Sequence, residues 1–146
     1  MSTPPPLQLT LANDLAEIPR LADAVETFCE PFGPSTKDLL SLQLALEELV
    51  TNIINHGYTD GQAHTFTVAL SAQDGGIRAV ITDDASAYDP LARDEVDTSL
   101  PLEDRAIGGL GVHLVKKLMD VSHYERRDGK NILTIERRLN SPDRPL

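Results

Sequence analysis

This 146-residue chain predicts an α+β fold, a two-layer α/β sandwich in which a mostly antiparallel sheet is covered on one face by about three helices. Three observations lead there. Runs rich in Val, Ile, Leu and Thr come in consecutive pairs joined by Asp-Gly turns, the pattern of hairpins and not of parallel crossover units. Two helical patterns stand together before the first pair, and a third separates the first pair from the second. The length and a 40% hydrophobic composition suit one domain with one core.

In chain order, residues 1–6 form a proline-rich lead with few N–H groups for a sheet, after which Leu7, Leu9 and Leu11 alternate with Gln8 and Thr10 as an opening strand. Asn13 or Asp14 can cap the next element. There Leu15, Ile18, Leu21, Ala22, Val25 and Phe28 recur at helical spacing until the Pro31-Phe32-Gly33-Pro34 break. The second helix starts near Ser35 or Thr36 and runs to about His56, where Gly57 ends it. Residues 65–71 and 77–82 read as a hairpin around Asp74-Gly75-Gly76. From 83 to 107 the chain is acidic, turn-rich and weakly periodic, too long for an ordinary connection, and is expected to be a functional lid. A helix over 110–119 and strands near 121–126 and 132–139, turning at Arg127-Asp128-Gly129-Lys130, complete a domain spanning 7–139. Residues 1–6 and 140–146 read as tails.

A net charge of −10 and a pI near 4.7 argue against a nucleic-acid or anionic-membrane surface, since either needs a basic footprint. Partners are expected to be proteins or small molecules. No run approaches a membrane span and residues 1–6 lack the features of a secretory signal, so a cytoplasmic location is expected. Cys29 is the only cysteine, which excludes an intrachain disulfide and a clustered thiolate site; it reads as a small buried helix residue.

The second helix carries two stripes. Leu39, Leu42, Leu46, Leu49, Val50 and Ile53 form the core face, whereas Glu48, Asn52 and His56, four apart, line another with Ala45 beside them. A carboxylate and an amide oxygen one turn apart can serve one magnesium-bound ligand, the first as base and the second as a neutral donor. Taken alone, such a pair is usually a solvated face. His56 reads as structural, and His64, His113 and His123 form no spaced metal set with it. Further on, Asp83 emerges from a strand end, where a carboxylate can receive a purine amino group. Gly108-Gly109-Leu110-Gly111 precedes a helix and can present N–H groups to phosphate oxygens. It is not a P-loop, because no Gly-Lys-Ser/Thr follows.

Three segments in order carry a resemblance. The string Glu48-Leu49-Val50-Thr51-Asn52-Ile53-Ile54-Asn55-His56-Gly57-Tyr58, then Asp83-Asp84-Ala85-Ser86-Ala87-Tyr88-Asp89-Pro90, then the glycine cluster running into Val112-His113-Leu114-Val115 together resemble the histidine-kinase-like ATPases of the Bergerat fold, in the version found in anti-sigma-factor serine/threonine protein kinases. The similarity covers about residues 11–139. It implies ATP as ligand with Mg²⁺ held by Asn52, Glu48 as the catalytic base and Asp83 on the adenine amino group. It also implies Ala85 in the adenine loop and Gly109, Leu110 and Gly111 around phosphate. Arg105, just before the glycine cluster, reads either as a lid arginine able to fold over the terminal phosphate or as a surface arginine. Ala85 and Ala87 stand where the family carries glycines, and each adds a methyl and restricts positive φ. The family often places a threonine near adenine on the last strand, which brings Asn131 and Thr134 into view in a different register. Lys116 and Lys117 are expected to be solvated, and Glu136-Arg137-Arg138 to mark a strand end. The expected partners are a sigma factor and a small anti-sigma-factor antagonist, with a homodimer possible through the first strand or first helix. The expected activity is phosphorylation of a serine on the antagonist. An ATP-gated binding module of the same fold without phosphotransfer is the competing expectation, and an ATPase domain detached from a two-component receptor a third.

Overall fold

The computed structural model describes residues 5–92 and 109–141, with side chains in the third helix from residue 114 onward. Five strands make one sheet: β1 (Leu7–Ala12), β2 (Thr65–Gln73), β3 (Gly76–Asp83), β4 (Val121–Arg127) and β5 (Lys130–Arg138), in spatial order β1-β2-β3-β5-β4. Every neighbouring pair is antiparallel. Three helices, α1 (Ile18–Cys29), α2 (Thr36–Asn52) and α3 (Gly109–Leu118), accompany it.

Local chemistry sets most boundaries. Asp14 accepts from the Ala16 N–H and opens a short 3-10 turn, Leu15–Glu17, that leads into α1. Ser35 Oγ caps α2 by accepting from the Asp38 N–H at 3.1 Å. Both hairpins close on two-residue loops, Asp74-Gly75 and Asp128-Gly129, with φ of 51° and 78° in the first and 53° and 75° in the second. Two consecutive positive φ values are those of a type I′ turn, whose twist matches that of the flanking strands. α2 does not stay regular to its end. It passes at Ile53–Gly57 into a π-helical turn, short of the uninterrupted helix to His56 that the spacing suggests.

Strand alternation places Leu11, Phe66, Val68, Leu70, Ile77, Ile81, Leu133 and Ile135 on one face of the sheet. That face packs with Leu21, Val25 and Phe28 of α1, Leu42, Leu46, Leu49 and Val50 of α2, and Val115 of α3 in a single core. Cys29 lies inside it, and burial pushes its thiol up to about 11, so it is a packing residue. At one end of the sheet Arg137, 1% exposed, donates through Nε to Asp38 Oδ1 at 2.8 Å, while its Nη1 donates to the Leu118 carbonyl. The inward register of β5 therefore continues from Leu133 and Ile135 to a buried cation that ties β5 to the starts and ends of two helices. The site lies at the other end of the same face. Among the described residues no helix is long and apolar enough to cross a membrane.

Candidate functional site

The end of α2, its π-helical turn, the loop after β3 and the start of β5 enclose a cavity of about 380 Å³, within the roughly 300–1,000 Å³ usual for small-molecule pockets. Leu49, Ile53, Pro90 and Leu133 make much of its wall apolar. Asn52 and His56 enter from the α2 side, Asp83 from the end of β3, and Tyr124 and Asn131 from the last hairpin. The π-helical turn matters here because a change of helical register at Ile53 turns both Ile53 and Gly57 onto the wall.

Asp83 is 7% exposed. Its Oδ1 accepts from the Ala85 N–H at 2.9 Å and from Asn131 Nδ2 at 2.8 Å. Among the described residues no donor reaches Oδ2, which leaves one carboxylate oxygen of a largely buried residue as a free acceptor at the cavity. A free acceptor of this kind favours a ligand that brings a hydrogen-bond donor. Across the cavity, Asn52 Nδ2 is buried and has no hydrogen-bond partner among the described residues. Asn52 itself lines the cavity, and with Nδ2 turned into the protein its amide has no internal partner that a ligand at its oxygen would have to displace.

The alanines of the loop cause no strain. Ala85 and Ala87 both keep φ out of the positive range, so the restriction on glycine-like backbone does not operate. The Ala85 methyl is buried and fits because position 57 is glycine: a Cβ added there would lie 3.3 Å from Ala85 Cβ. The carbonyl of Ala85 accepts from Arg126 Nη1 at 2.8 Å. Beside the loop, Tyr58 donates its hydroxyl to Asp84 Oδ1 at 2.8 Å and stacks on His64 with ring centroids 4.3 Å apart. Burial, and then the bond to Asp84, raises the Tyr58 phenol well above its ordinary value.

The structure thus brings Asn52, Asp83 and Ala85 to one cavity. His56, on the same stripe as Asn52, also lines it. Glu48 lies one turn before Asn52, half-buried and off the cavity wall. Gly109, Leu110 and Gly111 form the first turn of α3, where N–H groups have no intrahelical acceptor, and α3 packs against α2 and the Pro90–Ala92 turn. Gly108 and Arg105, with most of the expected lid, lie outside the described residues. Thr134 pairs with Val80 and lies on the sheet face opposite Leu133 and Ile135, away from the cavity. Asn131 is the polar residue of the last strand that reaches it, beside Leu133. Tyr124 and Arg126 were not singled out in the sequence; their only signal is alternation along β4, which gives a face but not a neighbour.

The donor set fits a purine nucleotide at the Asp83 end. Among the described residues no group of three His, Cys, Asp or Glu side chains gathers as a metal site. Magnesium is commonly held by very few protein ligands together with phosphate oxygens and water, and Asn52 is compatible with that mode.

Comparison with known proteins places the chain in a family. Serine/threonine-protein kinase BtrW of Bordetella bronchiseptica is 32% identical over 95 residues, covering 65% of this chain and 67% of that protein. Serine-protein kinase RsbW of Halalkalibacterium halodurans is 28% identical over 101 residues, 66% of this chain and 61% of its own length. An anti-sigma F factor of Clostridium perfringens is 25% identical over 121 residues, 81% of this chain and 85% of that one. The first two matches therefore span about two thirds of those relatives or less. Among solved structures, the RsbU and RsbW domains of a Mycobacterium tuberculosis protein superpose with a TM-score of 0.69 at 20% identity, over 98% of this chain and 35% of that one, which shows the shared fold. The histidine kinase domain of a blue-light activated kinase from Erythrobacter litoralis superposes with a TM-score of 0.52 at 17% identity, over 86% of this chain and 60% of that one. The family described as the histidine kinase-like ATPase domain matches residues 11–137, and the chain belongs to it.

Proposed function

We propose that the chain is an ATP-binding anti-sigma regulatory factor with serine/threonine protein kinase activity, which phosphorylates a serine of a small antagonist protein and exchanges that partner for a sigma factor. The observation that carries the reading is the free Oδ2 of the buried Asp83, facing a largely apolar cavity closed on its other side by the unpartnered amide of Asn52. The names of the relatives, serine kinases and anti-sigma factors, support the choice of partners.

In this reading Asp83 accepts the adenine amino group, and the apolar wall around Leu49, Ile53 and Leu133 takes the base out of water. Asn52 offers its amide oxygen to Mg²⁺, which when bound neutralises charge on the phosphates. The first turn of α3 presents its backbone N–H groups to phosphate oxygens. Glu48 takes the proton of the incoming serine hydroxyl as its oxygen bonds to the terminal phosphorus and ADP departs. Incubation with radiolabelled ATP, Mg²⁺ and the antagonist is the test. The expected result is label on an antagonist serine, reduced by about 10²- to 10⁴-fold in Glu48→Ala with ATP affinity little changed. An unlabelled antagonist in the presence of wild-type protein that binds and hydrolyses ATP overturns the kinase.

One observation favours a second reading. Glu48 is not on the wall of the cavity that would take the base, so nucleotide binding there does not require its carboxylate. The chain is then an ATP-gated binding module without phosphotransfer. Nucleotide-dependent capture of the partner by wild type and Glu48→Ala alike, with no phosphoserine formed, selects it.

A further inference from the structure

Asn131 is the most connected side chain at the cavity, and its role does not follow from its position on a strand end. It is 6% exposed. Its Nδ2 donates to Asp83 Oδ1 at 2.8 Å and to the Ser86 carbonyl at 3.0 Å, with the Ala85 carbonyl at 3.4 Å. Its Oδ1 accepts the Tyr124 hydroxyl and the Tyr88 N–H, the latter at 3.3 Å. Every neighbour of Nδ2 is an acceptor, and Tyr88 brings an N–H to Oδ1, so the orientation of the amide is fixed by its surroundings. A primary amide has two donor hydrogens and two acceptor lone pairs, and all four are engaged. Asn131 lines the cavity with no capacity left for a ligand.

We infer that Asn131 is a positioning residue for purine recognition: it holds one oxygen of Asp83 so that the other faces the cavity, and it pins the loop from Ala85 to Tyr88 that closes over the base. The inference rests on the nucleotide reading of Asp83 given above. A carboxylate with a single anchor can turn about its terminal torsion to orientations that aim neither oxygen squarely at the cavity, and can draw in water. With Asn131 and the Ala85 N–H both on Oδ1, rotation breaks two bonds, both charge-assisted by the carboxylate. The Arg126 bond to the Ala85 carbonyl fixes the same loop from β4, so the loop has anchors on both strands of the last hairpin. Asn131 acts on selectivity through Asp83, because it discriminates a 6-amino purine from a 6-oxo purine without touching either.

Titration of the purified chain with ATP and with inosine triphosphate, which differs at the 6-position of the base, tests this. Wild type is expected to prefer ATP. Asn131→Ala removes the anchor, and Asn131→Asp keeps the volume while placing an acceptor where Asp83 needs a donor; in both the ratio of the two dissociation constants is expected to fall about tenfold or more. A purely structural role lowers both affinities together and leaves the ratio alone, so a wild-type ratio in either folded variant overturns the inference while the nucleotide reading stands. A wild type that binds neither nucleotide, or both equally, overturns that reading and this inference with it. Should circular dichroism show both variants unfolded, Tyr124→Phe decides: it leaves Asn131 in place but removes one of the two donors that hold its Oδ1. A partial fall in the ratio supports the inference, and an unchanged ratio refutes it.

Discussion

Asp83 divides its two oxygens between the protein and the cavity, and that division makes a sharp expectation for the isosteric amide. In Asp83→Asn, one oxygen still accepts from the Ala85 N–H and from Asn131, so the atom left at the cavity becomes an NH₂ donor. The preference for a 6-amino purine should drop by at least about tenfold and shift toward the 6-oxo base, since a donor now faces whichever group the purine presents. Isothermal titration with ATP and inosine triphosphate checks it, and an unaltered ratio means that Asp83 does not read the base. Asp83 could be picked out in the sequence because a carboxylate directly after an apolar strand is a local signal. Asn131 could not be given a role, because its partners lie 43 to 48 residues away along the chain, except for Tyr124. Nothing in the order of residues says that the end of β3 and the start of β5 become neighbours in register, Asp83 opposite Asn131. Asn52 was legible as one of a stripe with Glu48. The π-helical turn that follows Asn52 was not, since Ile53 and Ile54 fit an ordinary helical period equally well.

The hairpins, the caps of α2 and of the turn before α1, and the strand limits follow from chemistry within a few residues, and these were the elements that composition and spacing delimited well. Joining the elements is a different matter, as Asp38 and Arg137 show. Asp38 sits in the first turn of α2, 3% exposed, and takes Arg137 of β5 on Oδ1 and the Asn140 N–H on Oδ2, while Arg137 also reaches the last turn of α3. Alternation through Leu133 and Ile135 places Arg137 on the inward face, yet a basic pair at the end of a strand reads as solvated until a carboxylate is known to be waiting. A buried pair of this kind adds little net stability compared with an apolar pair, but losing one partner leaves an uncompensated charge inside. Asp38→Ala should therefore lower the unfolding free energy by about 3–5 kcal/mol. Urea denaturation followed by circular dichroism measures it. A change under about 1 kcal/mol, the range of an exposed pair, would show that Arg137 finds water when its partner is removed.

At the scale of the whole molecule, two electrostatic effects of opposite sign meet on the acid side. The net charge of −10 at pH 7 repels itself, and lowering the pH toward the isoelectric point near 4.7 relieves that repulsion, so stability should hold or rise as far as about pH 5. Asp38 then decides the next step. Burial alone would raise its pKa, but the Asn140 N–H and the hydrogen bond and charge of Arg137 outweigh burial and hold it below the ordinary carboxylate value. A carboxyl depressed in the folded state binds its proton first in the unfolded chain, near about pH 3.9, so its contribution is complete above that value and disappears as the pH falls through the lower folded one. Asp60, beside His64, is shifted in the same direction but is exposed and screened by solvent, and adds little to the slope. The urea midpoint should thus be greatest at about pH 5–6 and fall steeply below about pH 4. Asp38→Asn, which retains an acceptor for Arg137 but cannot titrate, should start from a lower midpoint at neutral pH and show a shallower acid limb. Parallel acid limbs for the two proteins would mean that protonation elsewhere drives acid unfolding and that the clamp between α2 and β5 stays closed until the rest of the fold has gone.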